Sequence, residues 1–266
     1  MVERRVDKPW QKIYDDLNLK NHNFKKEPFK ITAKQIKTCC QDFKETGEKE
    51  VRILCKHDTR EKRPKVFIEN NLFMLAIKNG EYVILKGEGY VDIPEIKTEE
   101  KIYNSSLRFK LDTSTVGDSE MQHLDYAYAT SLIRTLMNDE SLVLTTRGRK
   151  YTKIEFSFNF NSQKIDVKSV QTEVDAGYEG KNQVVLIEAK NSKVKNTIIR
   201  QLYYPYRMWQ NYTKKKIITL FFEKTAENTY SIWQFGFRNT KDYNSIYLIK
   251  SGKYRIKDSY GQQALS

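Results

Sequence analysis

Three residues near the middle of the chain are costly to place side by side: Asp175, Glu188 and Lys190, within QTEVDAGYEGKNQVVLIEAKN from Gln171 to Asn191. Two carboxylates that converge repel unless a cation lies between them, and hard oxygen ligands of this kind suit Mg²⁺ with several of its waters retained. Such an ion lowers the pKa of a bound water, and a lysine beside it can orient that water or stabilise charge building on a phosphoryl group under attack. Hydrolysis of a phosphodiester needs such an arrangement; a surface hairpin with an incidental Glu-Lys pair is the other reading these residues alone allow.

The local sequence has the means to position them. Val184, Val185, Leu186 and Ile187 make an apolar run too short for a helix of its own, which reads as a buried strand. Alternation along that strand puts Glu188 and Lys190 on one face and Ala189 on the other. If residues 172–178 are the antiparallel partner, a tight turn at Lys181-Asn182, helped by a flexible Gly180, brings Asp175 level with Glu188.

An acidic residue, a short hairpin and then Glu-x-Lys at the end of an apolar strand resembles the PD-(D/E)XK nuclease superfamily. Val174-Asp175 stands where members often have Pro-Asp. The resemblance is strongest over residues 117–225. It implies an α/β (α+β) fold with a restriction-endonuclease-like mixed β-sheet core flanked by helices. It also implies Mg²⁺ held by Asp175, Glu188 and the Ala189 carbonyl, with Lys190 serving the attacking water. A helix before the hairpin often adds an acidic residue in such enzymes, which makes Glu120 a candidate; a first-turn glutamate also simply favours a helix dipole. Glu173 competes for the same role, two residues before Asp175. The segment IRQLYYPYRMW resembles the glutamine-containing helix that follows Glu-x-Lys in several such families, so Gln201 is expected to reach the site while the aromatic stripe packs in the core.

The wider composition agrees with a polyanionic partner. Lysine and arginine total 47 against 34 for aspartate and glutamate, a net charge of +13, and such an excess favours nucleic acid. No apolar run approaches the length of a membrane span, and the N-terminus has no apolar leader, so a cytoplasmic location is expected. Cys39, Cys40 and Cys55 are too few and too poorly spaced for a disulfide framework, and Cys55-Lys56-His57 without a second ligand pair does not make a zinc site.

Residues 1–105 read as an N-terminal α/β region, a possible DNA-recognition lobe; residues 106–258 as the nuclease core; residues 259–266 as a loose tail. Trp10, Ile13, Tyr14 and Leu17 recur at helical spacing, and Thr32 is placed to cap a second helix. VRILC, KVFIE, LFMLAI and EYVIL read as strands, the last two joined by a turn at Asn79-Gly80. Between the first two, Lys56 to Lys65 concentrates positive charge, and Arg60, Lys62, Arg63 and Lys65 are expected to touch DNA. An amphipathic helix is expected from Asp118 or Ser119 along Met121, Leu124, Tyr128, Leu132 and Leu136, and another over residues 192–212, kinked at Pro205, with Arg200 and Arg207 toward the DNA backbone. Residues 217–222, 230–237 and 245–249 supply further strands.

With no Walker-type glycine loop in view, the size and charge resemble a type II restriction endonuclease. That implies double-stranded DNA as substrate, a homodimer, and a cognate DNA methyltransferase as functional counterpart. A structure-directed repair or junction nuclease of the same superfamily, and a non-catalytic DNA-binding protein, are the two other readings open at this level.

Overall fold

The computed structural model describes residues 4–151 and 155–258; the expected loose tail lies outside the described residues. The chain opens with α1 (Asp7–Asp16), β1 (Phe29–Thr32) and α2 (Ala33–Cys39). Thr32 caps α2 in a full capping box: its hydroxyl accepts from the Gln35 amide while the Gln35 side chain accepts from the Thr32 amide. Three short helices follow, α3 (Thr46–Lys49), α4 (Val51–Leu54) and α5 (Lys65–Glu69). VRILC and KVFIE were expected as strands and are helical turns instead. In α4 the buried residues are Val51 and Leu54 while Ile53 is exposed, a helical i, i+3 spacing that so short a run hides from a pattern reading. β2 (Leu72–Lys78) and β3 (Glu81–Lys86) form the expected hairpin, Gly80 taking the positive φ (73°) of the turn, and the first sheet has the order β1-β3-β2.

From β4 (Tyr90–Asp92) and β5 (Lys101–Asn104) onward the chain hydrogen-bonds into a second unit. The expected single helix after residue 118 is two, α6 (Glu120–Ala129) and α7 (Leu132–Met137), broken where Ser131 adopts a left-handed conformation; Met121 lies outside the buried face. β6 (Val143–Tyr151), the hairpin β7 (Glu155–Phe160) and β8 (Gln163–Lys168), β9 (Gln171–Glu179) and β10 (Gln183–Lys190) come next. Where a helix over residues 192–212 was expected, a short strand β11 (Asn196–Ile198) pairs with β4, and the helix α8 (Arg200–Gln210) begins only afterwards and continues through Pro205. β12 (Lys216–Ala226), β13 (Thr229–Phe237) and β14 (Ile246–Lys257) complete the chain.

The large sheet has the order β5-β14-β13-β12-β10-β9-β6 and is mixed, with β10–β12 and β14–β5 parallel and the other pairs antiparallel. The fold is therefore of mixed α and β class with a mixed sheet flanked by helices, as expected. A parallel β10–β12 pair requires a crossover, which α8 supplies. Along β10, Val185, Ile187 and Ala189 pack with Leu124, Ala127, Leu132 and Ile133 of α6 and α7; Val184 and Leu186 face the other way, toward Trp209 of α8. Glu188 and Lys190 continue that second row past the end of the apolar packing. Among the described residues no helix is long and apolar enough to cross a membrane.

Candidate active site

β9 and β10 pair with Ile187 opposite Ala176, so the register continued by one residue sets Glu188 opposite Asp175. The turn is the expected one at Lys181-Asn182, closed by the Gly180 amide donating to the Gln183 carbonyl. Strict alternation would put Val174 and Ala176 on one face. Val174 instead packs with Val184 and Leu186, while Ala176 joins the opposite core. β9 is thus out of step at Asp175, next to where its pairing with β6 slips between Thr146 and Gly148. Irregularities of this kind re-aim a side chain at a sheet's functional end. Here the result is that Asp175 Oδ2 accepts from the Ala189 amide at 2.7 Å.

Lys190 Nζ contacts Glu188 Oε1 and donates to the Ala189 carbonyl at 2.9 Å. Gln201, in the first turn of α8, donates through Nε2 to the same Glu188 oxygen at 2.7 Å, and its own carbonyl oxygen is held by Thr197 Oγ1 at 2.6 Å. Thr197 therefore fixes which end of the amide faces Glu188. Glu188 is only 7% exposed, and burial pushes its carboxyl up to about 7, with Asp175 and Asp58 adding to the shift and Lys190 opposing it. Burial likewise raises Asp175, against the pull of the Ala189 amide and of Lys190. Burial alone would lower the Lys190 ammonium; Glu188, by charge and hydrogen bond, more than reverses this.

Glu120 starts α6 and lies close enough for its charge to act on both Asp175 and Lys190. Glu173 is exposed and pairs with Arg149 at 3.0 Å. Among the described residues, no group of three or more His, Cys, Asp or Glu side chains is arranged to hold a metal ion. The donors at the strand end are two carboxylates and the Ala189 carbonyl, with Glu120 nearby.

Several supporting groups had no signal in the sequence. Asp118, just before α6, accepts from Lys224 at 2.6 Å and from His123 at 2.8 Å, and its carbonyl accepts from Asn191 at 2.5 Å. This clamp ties the start of α6 to the chain that leaves Lys190. Glu223, buried beside Lys190 in the β10–β12 pairing, accepts from the Val194 amide at 3.1 Å. Asn196 joins the two units: it receives the Arg60 amide at 2.7 Å and donates to Glu61.

The basic loop divides. Arg63 is buried, donating to the Leu72 and Arg60 carbonyls and lying over the Tyr90 ring. Arg60 is engaged by Glu88 and Asp92. These two arginines, expected at a DNA surface, hold the loop against β4, because an unpaired guanidinium at such a junction would be costly to bury. Lys62 is exposed, and Lys65 is exposed beside Glu69 at the start of α5. Arg207 is likewise turned inward, toward the Ser157 and Thr240 carbonyls. His57 is buried against Trp10 and Phe67.

No curated protein matches this chain, and no solved structure does. Residues 7–84 match a family described as a domain of unknown function, DUF6996. The model of a second family, a domain of unknown function described as DUF6997, matches residues 85–255, more than half of the chain including the whole hairpin and α8, and the chain belongs to that family.

Proposed function

We propose that this chain is a Mg²⁺-dependent endonuclease that hydrolyses phosphodiester bonds of double-stranded DNA at specific sequences, in the manner of a type II restriction enzyme. The observation that carries the reading is the meeting of Asp175, Glu188 and Lys190 at one strand end, with Glu188 buried and bonded to Gln201. The donor set fits Mg²⁺: it is all oxygen, it leaves positions for water, and its two carboxylates have raised pKa values that a divalent cation would reverse. Asp175, Glu188 and the Ala189 carbonyl would hold the ion, which when bound lowers the pKa of a water and neutralises phosphoryl charge.

The chain's own groups do the rest. An ammonium has three donors, and Lys190 spends two on Glu188 and the Ala189 carbonyl. Its third holds the attacking water. The water oxygen bonds to phosphorus as the bond to the leaving sugar oxygen breaks; the water's proton goes to solvent and the leaving oxygen takes one up. Throughout, the Lys190 charge lies beside the phosphoryl oxygens. Gln201 keeps Glu188 from turning away. A homodimer cutting one strand per protomer, a cognate DNA methyltransferase and a cytoplasmic location belong to the same proposal.

The test is incubation of the purified protein with long unmodified DNA, with Mg²⁺ or with EDTA, and separation of the products. Discrete fragments only with Mg²⁺ are expected, and Asp175→Ala and Lys190→Ala should each abolish them while duplex binding persists. A smear would turn the reading toward a structure-directed or nonspecific nuclease; undiminished cutting by Lys190→Ala would remove that lysine from the mechanism.

A further inference from the structure

A cleft of about 760 Å³ lies between the N-terminal unit and β6. Arg5, Arg52, Lys56 and Lys62 line one side, and Arg149 of β6 lines the other. Glu50 and Glu61 are its only carboxylates among the described residues, and both are engaged: Glu50 with Arg52, Glu61 with Asn196. Arg5 and Lys62 are exposed and have no ion-pair partner among the described residues. Arg52, Lys56 and Arg149 each face one carboxylate, Glu50, Asp58 and Glu173, so the charge left over in the cleft is that of Arg5 and Lys62, and a wall with more cations than carboxylates favours an anionic partner.

Both walls of this cleft lead to the catalytic strand end. On one side, the 58–62 loop is fastened to the segment between Lys190 and Gln201: Ile198 donates to the Asp58 carbonyl at 2.9 Å, and Asn196 bonds Arg60 and Glu61. Asp58 is near enough to act on Glu188. On the other side, Arg149 pairs with Glu173, two residues before Asp175 on β9.

We infer that this cleft is the track for the sugar-phosphate backbone of duplex DNA, with Arg5, Arg52, Lys56, Lys62 and Arg149 contacting phosphates while the scissile bond lies at Lys190. The inference rests on the proposed nuclease reading and assigns the N-terminal unit its part in it: backbone contact through Lys56 and Lys62, in place of Arg60, which is paired with Glu88 and Asp92, and the buried Arg63.

The experiment is fluorescence anisotropy of a labelled duplex in EDTA, over about 50 to 200 mM KCl, with the parent, the cleft variant Arg52→Glu/Lys56→Glu/Lys62→Glu, and a control variant Lys181→Glu/Lys214→Glu/Lys216→Glu. The control lysines sit at the turn end of β10, opposite the catalytic end, and change net charge equally. The cleft variant should bind at least about tenfold more weakly, with the slope of log Kd against log salt reduced by about 2 to 3, while the control stays near the parent. Parent-like binding by the cleft variant, or equal weakening by both, overturns the inference, as does tighter binding of duplex RNA than of DNA by the parent. Should the cleft variant fail to fold by circular dichroism, Arg5→Ala/Lys62→Ala carries the same comparison. A parent that binds duplex through the cleft yet never cuts with Mg²⁺ would sink the nuclease reading and leave the cleft; a parent that cuts while the cleft variant binds and cuts equally well would do the reverse.

Discussion

Glu188 concentrates the electrostatic cost of the site. Its carboxyl is pushed up to about 7 from an ordinary 4.5, chiefly by burial, so the folded protein holds that proton more tightly than the unfolded chain does. The associated stability is fully present below about pH 4.5 and is lost as pH rises through about 7. Glu188→Gln keeps the shape and removes the titration. In EDTA its melting temperature relative to the parent should therefore rise between about pH 5 and about pH 8; a difference that stays flat would mean the burial is not felt as charge. The same proton competes with a cation, so stabilisation of the parent by Mg²⁺ should grow across that window. Gln201 is legible as a site residue only through the family resemblance, and its role is geometric: Gln201→Leu removes the bond that fixes Glu188 and should lower Mg²⁺ affinity or cleavage about 10- to 100-fold, with the fold's melting temperature little changed.

The elements that could be read in advance are those whose partners are local. The hairpin announced itself through an apolar run, a turn and the charges beyond it, and Thr32 through its spacing to Gln35. Legibility failed where bonding is remote: the Asp118 clamp reaches Asn191 and Lys224 across 73 and 106 residues, and β11 exists because β4 lies beside it. Short apolar runs failed for another reason, since VRILC and KVFIE contain too few residues to distinguish one period from the other. Gly180 shows a residue read correctly for the wrong cause. It does not use a positive φ; a Cβ there would collide with the Asp139 carboxylate, which is itself tied to Ser141 and Gln183. Gly180→Ala should destabilise the protein by about 1 to 3 kcal/mol, as overpacking does. Urea denaturation of Gly180→Ala with and without Asp139→Ala isolates the clash, because the second change should recover part of the loss; additive losses would show that the glycine serves flexibility after all.

At the scale of the whole molecule, the boundary between the two family matches at residues 84 and 85 falls inside β3, a strand whose residues belong to two cores. The β2–β3 hairpin is buried on both faces. Leu72, Met74 and Ile84 belong to the N-terminal core, while Phe73, Leu75, Val83 and Leu85 pack with α8, the β7–β8 hairpin and Tyr243. Phe73 lies 5.0 Å from the Phe160 ring, and Tyr204 Oη donates to the Ala76 carbonyl at 2.9 Å. Losing four such side chains from one core removes about 1.5 to 3 kcal/mol each, a sum comparable with the whole stability of an ordinary domain, about 5 to 15 kcal/mol. Residues 87–266 expressed alone should therefore lack a cooperative unfolding transition and bind a hydrophobic dye, and co-expression with residues 1–86 should restore both folding and any DNA binding. Cooperative unfolding of the isolated C-terminal part would contradict the shared core. It would also free the N-terminal unit to move, whereas a shared core holds the basic cleft at a fixed distance from Lys190, as the proposed placing of a scissile bond by phosphate contacts requires.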